Sequence, residues 1–377
     1  MSRADPPVPS AVTSGVTSGV ASRVGSMSDA ASDTMADEAS GVWGPAGAIA
    51  VQLPDCDAEL AAALAIGLAR VESFLRDRVD HDDPFIAEAG AHLLNAGGKR
   101  FRPLLSLLAA EVGSGAGDDV VAAAAAVELT HLASLYHDDV MDEATLRRGA
   151  VSVNAAYGNS TAILIGDLLF GTASQIVADL GPEAVKIQAR TFVTLCAGQI
   201  RDGRPPPPGV DPVDHYLAVL RDKTGSLIAT AARYGAMFSG CDQPKVELLA
   251  RFGERLGVAF QLADDLLDIT STSGVSGKTP GTDLREGVDT LAVLWARQGD
   301  DPADRRLREL LNQDLATDDA AHADALDLLR DHNAVVRAAE HTRLVASQAR
   351  DMLAPLGDTP AARALAGLAT SVVDRHA

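Results

Sequence analysis

The stretch GDDVVAAAAAVELTHLASLYHDDVMD, residues 117–142, decides the fold. Its apolar side chains recur at the spacing of a helix and do not alternate as they would in a strand. Helical spacing also occurs in the runs 57–79, 84–96, 101–113, 160–180, 183–201, 212–239 and 243–270, with further helices to the end. Strand alternation is not visible in any run. The pattern therefore predicts an all-α protein, which the abundance of alanine supports.

The chain divides into two parts by composition. Residues 1–50 are rich in Ser, Ala and Gly, contain the repeat VTSGVTSGVAS and have no apolar face to bury, so they are predicted to form a disordered tail. Residues 52–377 hold the helical runs, which are separated by Gly/Pro-containing stretches such as DGRPPPPG. Hydrophobic residues make up 47% of the chain, which is enough to build one large helical domain with a sizeable core.

The net charge limits the partners of the chain. At a charge of −20, a basic surface for nucleic acid is not expected, so no nucleic-acid partner is predicted. The three cysteines, Cys56, Cys196 and Cys241, show no disulfide or zinc spacing, which favours a cytoplasmic protein. Neither a signal-peptide pattern nor an uninterrupted run of eighteen apolar residues occurs, so no membrane span is predicted.

Two acidic motifs interrupt apolar helices. HDDVMDEATLRRG, residues 137–149, follows LASLY, and DDLLD, residues 264–268, follows GVAFQLA. In the first motif Asp138 and Asp142 project from one face of a helix, with Asp139 beside them. A solvated acidic surface is the alternative, but a carboxylate among apolar residues is costly without a cation or a hydrogen-bond partner, which favours metal ligation. Ligands that are all oxygen select Mg²⁺, with Mn²⁺ as an alternative, and imply a phosphorylated substrate.

A third acidic motif, DDPAD, is interpreted differently. It contains Asp300, Asp301 and Asp304. Gly299 and Pro302 place the first two aspartates in a loop or cap that leads into a helix, rather than in its middle. This motif is therefore predicted to be structural.

Positive charge for an anionic ligand is concentrated beside glycine, which lets the backbone approach an anion closely. The candidate cations are Lys99, Arg100 and Arg102 in GGKRFRP, Arg147 and Arg148 after the first acidic motif, Lys223 in DKTGS, and Lys278 in GKTPG. The segment SGKTPG does not match a nucleotide-binding P-loop, because Gly274 and Gly277 have two residues between them where that loop needs four.

The motifs GGKRFRP, HDDVMDEATLRRG, DKTGSL, FQLADDLLDI and GKTPGTDLREG together resemble those of the trans-isoprenyl diphosphate synthases, or polyprenyl synthetases, in order and spacing. The resemblance implies a large helical bundle around a deep apolar cavity, usually in a homodimer, with two aspartate-rich helices facing each other across the mouth. It also implies that isopentenyl diphosphate is condensed head to tail with an allylic prenyl diphosphate. The trans-polyprenyl diphosphate would then be delivered to membrane enzymes.

The resemblance assigns roles to individual residues. The implied Mg²⁺ ligands, shared by three ions, are Asp138, Asp142 and Asp264, and the remaining catalytic carboxylates are Asp139, Asp265 and Asp268. The allylic diphosphate would be held by Arg147, Lys223 and Lys278, and isopentenyl diphosphate by Lys99, Arg102, His131 and Arg148. Thr224 and Gln261 would lie near the allylic cation, with an ordinary interhelical hydrogen bond as the alternative for Gln261.

The sequence departs from the family pattern at one point. After DLRE the family often has Gly-Lys-x-Thr-Leu-Pro, whereas this chain has GVDTLA, with Val288 and Ala292. One contact to a diphosphate is therefore predicted to be missing.

Product length is predicted from the helix of the first motif. Short-chain members of the family place a bulky aromatic residue four or five positions before the motif, whereas this chain has Ser134 and Ala133. The floor of the cavity is then expected deeper, near Phe170 or beyond, and the product is expected to contain about six to ten isoprene units. Close helix packing is the alternative role for both small residues.

Two rival functions remain open on the sequence alone. A class I terpene cyclase also ionises a prenyl diphosphate, but it would lack GGKRFRP and DDLLD. A noncatalytic partner subunit of another prenyl synthase would tend to lose one acidic motif, and this chain has both. A catalytic prenyltransferase is the favoured prediction.

Overall fold

The computed structural model describes residues 53–271, 280–299 and 301–373. The predicted tail at 1–50, Lys278 and Asp300 lie outside these ranges. The described chain consists almost entirely of helices, so the predicted all-α fold is confirmed.

The helices are α1 (Ala58–Val79), α2 (Pro84–Asn95), α3 (Phe101–Ala110), α4 (Asp118–Met141), α5 (Val153–Tyr157), α6 (Asn159–Asp179), α7 (Pro182–Asp202), α8 (Pro212–Leu220), α9 (Ser226–Phe238), α10 (Gln243–Thr270), α11 (Thr282–Arg285), α12 (Leu291–Gln298), α13 (Arg305–Leu311), α14 (Asp319–Arg330), α15 (Asn333–Asp351) and α16 (Pro360–Val373). A π-helical turn, Arg221–Gly225, joins α8 to α9, and 3₁₀ turns occupy Pro302–Asp304 and Ala354–Leu356. The helical run predicted at 212–239 is therefore divided by a wider turn.

A short hairpin follows α4, and the sequence, in which no strand alternation is visible, did not reveal it. Strand β1 (Leu146–Arg147) pairs antiparallel with β2 (Ala150–Val151). The two residues of the turn, Arg148 and Gly149, both have positive φ, 55° and 76°, which is the geometry that matches the twist of a two-residue hairpin. Two-residue strands are too short to show alternation, and arginine is not a residue that signals this turn.

The core surrounds α4, which packs between α3, α6 and α9. Leu129, Leu132 and Ala133 of α4 are fully buried, and each buried leucine stabilises the fold by about 1.5–3 kcal/mol. The second long core helix, α10, packs against α9 and α15. The α3–α9 contact depends on Gly235, because an added Cβ there would lie 2.0 Å from the carbonyl oxygen of Ser106.

Among the described helices, α4 and α6 are long and apolar enough to span a membrane by length and composition alone. The apolar window of α4 is 72% buried inside the protein, as in a core helix, whereas that of α6 is only 39% buried. The outer faces of α6 and α7 expose the large apolar side chains Ile163, Leu164, Leu168, Val185, Val193 and Ile200. We call this set the α6–α7 apolar face.

Candidate active site

The first acidic segment lies where α4 ends. Asp138 is half-buried in the last turn, and burial raises the pKa of its carboxyl to about 6, while the positive charge of Lys223 acts in the opposite direction. Lys223 therefore lies close enough to Asp138 to interact with it across the site. Asp142 caps the end of α4 and is exposed, and Glu143, with φ 49°, turns the chain away from the helix.

The middle aspartate of this segment points into the protein. Asp139 is fully buried, and its Oδ1 accepts a hydrogen bond from Arg147 Nε at 2.6 Å. Burial raises the pKa of Asp139, and the ion pair with Arg147 opposes that rise. Because Arg147 lies on β1, its partner on the opposite strand being Ala150, Asp139 fixes the hairpin and its guanidinium group beside Asp138.

The second acidic segment lies in the last turns of α10. Asp264 is exposed, whereas Asp265 is only 8% exposed and accepts hydrogen bonds from the Tyr216 hydroxyl and, at 2.9 Å, from Gln261 Nε2. Burial raises the pKa of Asp265 to about 6, and both hydrogen bonds act to lower it. Burial and the negative charge of Asp265 raise the pKa of Tyr216 well above its usual range, so the phenol stays protonated.

Asp268, the last residue of the motif, holds another element. Its two carboxylate oxygens accept the backbone N–H groups of Thr282, at 3.1 Å, and Asp283, at 2.9 Å. The Gly281 N–H also donates to the Asp268 carbonyl, at 2.8 Å. These N–H groups belong to the start of α11, where they have no partner within the helix. Asp268 therefore anchors α11 against α10.

The π turn Arg221–Gly225 faces both acidic segments. Lys223 Nζ contacts Asp202 Oδ2 at 2.7 Å, and the Thr224 hydroxyl donates to Gln261 Oε1 at 3.1 Å. The turn approaches α7 closely at Gly198, where an added Cβ would lie 2.5 Å from the backbone nitrogen of Lys223. We call the space bordered by Asp138, Lys223, Asp202 and Gln261 the mouth.

Beside the mouth, guanidinium groups surround the end of α2. Arg100, with φ 48°, donates to Glu72 Oε2 at 2.9 Å and to Glu128 Oε1 at 3.3 Å. Its Nη2 also donates to the carbonyl of Leu94, and Arg148 donates to those of Leu93 and Gly97. Leu93 and Leu94 lie in the last turn of α2, where carbonyls have no i+4 partner within the helix, and Gly97 follows that turn. Arg100 and Arg148 are therefore committed to internal contacts in this structure.

Three other predicted anion ligands lie around this basic cluster. Arg102 has a buried Nε without a hydrogen-bond partner, and burial lowers the pKa of its guanidinium group to about 10. Burial and the nearby charge of Arg102 hold the pKa of His131 well below its usual range. Lys99 is exposed. Buried positive charge with unused donors is suited to an anion such as diphosphate.

The carboxylates fit Mg²⁺ only together with a ligand that supplies more oxygens. Within the described ranges, no group of three or more His, Cys, Asp or Glu side chains is arranged to hold a metal ion. Asp138, Asp142 and Asp264 are accessible, whereas both oxygens of Asp265 and of Asp268 accept internal hydrogen bonds. Mg²⁺ prefers such sites, with one or two carboxylates plus phosphate oxygens and water.

The remaining predicted residues have varied surroundings. Ala133 is fully buried, and its carbonyl oxygen would lie 3.3 Å from a Cβ at Gly166 of α6. Ser134 is half-buried, and its hydroxyl donates to the carbonyl of His131 at 2.8 Å. Phe170 packs against Phe192 of α7, with ring centroids 4.4 Å apart.

The third acidic motif and the departure from the family pattern lie away from the mouth contacts described above. Asp304 contacts His332 Nε2 at 3.0 Å, and Asp301 precedes the 3₁₀ turn that leads into α13. Val288 is 40% exposed in the loop between α11 and α12.

Sequence reasoning missed several polar residues that form the site. They are Glu72, Glu128, Asp202 and Tyr216. A lone carboxylate in an apolar run, Glu128 in AAAAAVELTHL, was a signal of a buried charge. Tyr216 gave no signal, because its partner Asp265 lies 49 residues further along the chain.

The sequence and the fold both resemble those of known proteins. The family model for polyprenyl synthetase matches residues 83–329. The nonaprenyl diphosphate synthase of Mycobacterium tuberculosis is 50% identical over 321 residues, which cover 85% of this chain and 96% of that protein.

Solved structures with similar folds come from enzymes of different product length. The geranylgeranyl pyrophosphate synthase of Corynebacterium glutamicum, solved with calcium and isoprenyl diphosphate, is 41% identical with a TM-score of 0.77, covering 86% of this chain and 99% of that one. A decaprenyl diphosphate synthase from Rhodobacter capsulatus is 34% identical, also with a TM-score of 0.77, covering 85% and 99% of the two chains.

Proposed function

The chain belongs to the polyprenyl synthetase family, and from this membership we infer that it is a trans-polyprenyl diphosphate synthase. It is a Mg²⁺-dependent prenyltransferase that condenses isopentenyl diphosphate head to tail with an allylic prenyl diphosphate to give a long-chain product. The observation that carries this function is the mouth itself, where Lys223 is bonded to Asp202 and Thr224 of the same π turn is bonded to Gln261, three residues before Asp264.

We assign the accessible carboxylates Asp138, Asp142 and Asp264 to Mg²⁺, with three ions per site. The remaining aspartates of the two motifs, Asp139, Asp265 and Asp268, act as positioning residues, because their oxygens are buried or are used in internal contacts. When bound, Mg²⁺ supplies Lewis-acid stabilisation of the charge on the departing diphosphate.

The allylic diphosphate is assigned to the cations next to the acidic segments. Arg147 is held by Asp139 and Lys223 by Asp202, so both approach the mouth from opposite elements. Lys278 completes this set by resemblance, and it lies outside the described residues.

Isopentenyl diphosphate is assigned to Lys99, Arg102 and His131, with Arg148 beside them. Arg102 retains an unused buried donor, and His131 is neutral and able to donate a hydrogen bond. Arg148 contributes positive charge beside this set, and its guanidinium group is held by hydrogen bonds to the carbonyls of Leu93 and Gly97.

The reaction follows from the placement of charge. Breaking the bond between the allylic carbon and the diphosphate oxygen leaves an allylic cation, which the isopentenyl double bond attacks to form the new carbon–carbon bond. The departed diphosphate takes the proton that is lost afterwards. Thr224 and Gln261 line the mouth with fixed oxygens, which stabilise the cation without rearranging during the reaction.

Product length is assigned to the helix below Asp138. Small side chains at Ala133 and Ser134 leave room for a product of about six to ten isoprene units. Replacing Ala133 with Phe should shorten the product to about three or four units, because a ring fills a path only one side chain wide. Chromatography of the products from both proteins measures this. An unchanged distribution would mean that Ala133 serves helix packing alone.

The decisive experiment incubates the purified chain with isopentenyl diphosphate, an allylic starter and Mg²⁺. We expect consumption of both substrates and a lengthened prenyl diphosphate, and no product from Asp138→Ala under the same conditions. A terpene cyclase would instead convert the allylic substrate without consuming isopentenyl diphosphate. A noncatalytic subunit would be inactive until a partner synthase is added.

The enzyme is assigned as a homodimer, formed through the α6–α7 apolar face. Leu164 is 67% exposed and Val193 is 68% exposed in the single chain, and large apolar patches of this kind mark interaction sites. Light scattering should give twice the mass of one chain for the wild type and the mass of one chain for Leu164→Asp/Val193→Asp. Val336→Asp, at a site 55% exposed on α15, is the matched control and should leave the dimer intact.

Domain limits and location complete the assignment. We assign catalysis to residues 52–377, so a protein lacking residues 1–45 should keep wild-type turnover. A cytoplasmic location, with the product passed to membrane enzymes, agrees with three cysteines that are all free thiols.

A further inference from the structure

The buried aspartate of the second motif uses both of its carboxylate oxygens in contacts with protein groups. Asp265 uses Oδ2 for the Tyr216 hydroxyl and Oδ1 for Gln261 Nε2, and the side chain is 8% exposed. Its neighbour Asp264 is exposed. Two adjacent carboxylates in one helix therefore have different surroundings, one exposed and one buried among protein groups.

The contacts of Asp265 fix which end of the Gln261 amide faces the mouth. A carboxylate can only accept hydrogen bonds, so Gln261 must turn its NH₂ group toward Asp265. The amide oxygen then points the other way, where it accepts the Thr224 hydroxyl at 3.1 Å. Because the Thr224 proton is used in that bond, the remaining lone pairs of both oxygens are available to a positive charge.

Tyr216 fixes the direction of this chain of hydrogen bonds at its other end. Because the Asp265 carboxylate can only accept, the phenol must direct its proton to Asp265. The sequence of donors runs from Tyr216 to Asp265 and from Gln261 to Asp265, and Thr224 donates to Gln261. No member of the chain can reverse its direction without leaving two acceptor oxygens opposed.

We propose that Asp265 and Tyr216 are positioning residues that lock the Gln261 amide with its carbonyl oxygen toward the allylic cation. The proposal rests on the proposed function, since it names the group that the cation meets. An amide oxygen carries partial negative charge, whereas the NH₂ end carries partial positive charge, so a flipped amide would repel the cation. Fixed dipoles of this kind act on the transition state rather than on binding of the ground state.

The test begins with Asp265→Asn, which keeps the shape but adds a donor. The Tyr216 hydroxyl will still find the oxygen of the new side chain, which leaves the new NH₂ group facing Gln261. Gln261 must then flip and present its own NH₂ group to Thr224 and the cation. We expect kcat to fall about 100-fold, while KM for both diphosphates stays within about threefold.

The Mg²⁺ dependence of Asp265→Asn separates this role from metal ligation. We expect the Mg²⁺ concentration for half-maximal activity to match the wild type. A raised Mg²⁺ requirement would overturn the proposal, because it would make Asp265 a ligand. Substrate-dependent turnover by the wild type in the same assay tests the proposed function separately.

The double variant Asp265→Asn/Gln261→Glu restores an oxygen at the position that faces the cation. The glutamate accepts from the asparagine on one side and from Thr224 on the other. We expect at least about a tenfold recovery of kcat over Asp265→Asn, whereas Gln261→Glu alone should be impaired because two carboxylates then face each other. A double variant no better than Asp265→Asn would overturn the proposal.

Tyr216→Phe supplies a variant in which the amide should not flip. Asp265 still accepts from Gln261 after the phenol hydroxyl is removed, so we expect kcat to fall by less than about tenfold. Thermal unfolding of all four variants checks that each one folds. A loss in Tyr216→Phe equal to that in Asp265→Asn would show that the hydroxyl itself acts on the reaction, which contradicts the amide mechanism.

Discussion

The two acidic segments have the same sequence pattern but different support. Behind the first, the buried Asp139 contacts the guanidinium group of Arg147, in a region that also holds Arg100 and Arg148. Behind the second, the buried Asp265 contacts a phenol and an amide. The first segment is therefore backed by positive charge and the second by neutral dipoles.

This difference separates the two charges that the reaction creates. Positive charge behind the first segment suits the diphosphates, whereas oriented oxygens without net charge suit a cation that must form and disappear in the same space. Under the proposed assignment, the repeated motif supplies Mg²⁺ ligands to both sides of the mouth, and the second aspartate of each motif determines which protein groups lie behind that side.

The largest expected effect comes from removing the accessible carboxylate that each segment contributes to the mouth. Asp138→Ala and Asp264→Ala should each lower kcat by about 10²–10³-fold, since each removes a proposed ligand of the Mg²⁺ that stabilises the departing diphosphate. Steady-state assays with labelled isopentenyl diphosphate measure this. Asp301→Ala in the third motif is the control and should keep activity within about twofold of the wild type. Equal losses in all three variants would mean that the metal helices are misassigned.

Substitution of the middle aspartate should affect different kinetic constants in the two segments. In Asp139→Asn, the charge-assisted bond to Arg147 is weakened. We expect KM for the allylic diphosphate to rise about tenfold, with kcat changed by less than about threefold. Asp265→Asn should show the reverse, as argued above. The same kinetic pattern in both variants would contradict the distinction between the two segments, one supported by positively charged groups and the other by neutral dipoles.

Lys99 tests whether the positive region is divided between two substrates. Lys99→Ala should raise KM for isopentenyl diphosphate by about tenfold, because one cation near that diphosphate is lost. KM for the allylic substrate should change by less than about threefold. Initial rates with each substrate varied in turn measure both constants, and an equal rise in both would contradict separate sites.

The pH dependence of stability tests whether the arginine charges behind the first segment act on His131. Burial and the charges of Arg102, Arg148, Arg100 and Arg147 hold its pKa well below the usual range. The unfolded chain therefore binds a proton here that the folded chain does not, so the free energy of unfolding falls by about 1.4 kcal/mol per pH unit once pH drops below about 6.5.

His131→Gln removes that proton from the unfolded state. Relative to the wild type, the variant should gain about 1.4 kcal/mol of stability per pH unit between about pH 6 and pH 5, and nothing above about pH 7.5. Urea unfolding at these pH values measures the difference. Parallel curves for the two proteins would show that no positive cluster acts on this ring.

The smallest expected effect concerns the last aspartate of each motif. Asp268→Asn leaves one side-chain oxygen for the N–H groups of Thr282 and Asp283, so the free energy of unfolding should fall by about 1 kcal/mol. Asp142→Asn, at an exposed position, should change it by less than about 0.5 kcal/mol. Urea unfolding without Mg²⁺ and substrate compares the two, and equal changes would deny Asp268 its anchoring role.

The sequence predicted the features that depend on neighbouring residues. Helix positions follow from local periodicity, so α4 and α10 and the acidic ends of both helices were found. The division of labour within each motif depends on distant partners. Asp265 meets Tyr216 from 49 residues away, and Arg100 meets Glu72 from 28 residues away. By residue type and position in the sequence, Arg100 and Arg148 are candidate phosphate ligands. Only the fold reveals that their N–H groups already donate to carbonyls and carboxylates.

Backbone irregularities were also beyond sequence reasoning. The run at 212–239 has unbroken helical spacing, yet the helix widens at Arg221–Gly225. Such a turn depends on the approach of α7 at Gly198, which is tertiary information. The hairpin turn at Arg148 is similar, because positive φ in an arginine is stabilised by contacts to α2 and not by local preference.

The widened turn makes this chain sensitive to deletion in a way that its side chains do not suggest. A π-helical turn holds one residue more than an α-helical turn, and each residue of an α-helix advances by about 100° around the axis. Loss of a single residue from Arg221–Gly225 would let α8 and α9 merge into one regular helix, which is what the apolar spacing predicted. Lys223 and Thr224 would then rotate away from Asp202 and Gln261. A variant with this one-residue deletion would keep a regular helix there and lose the contacts of Lys223 and Thr224 that form the mouth.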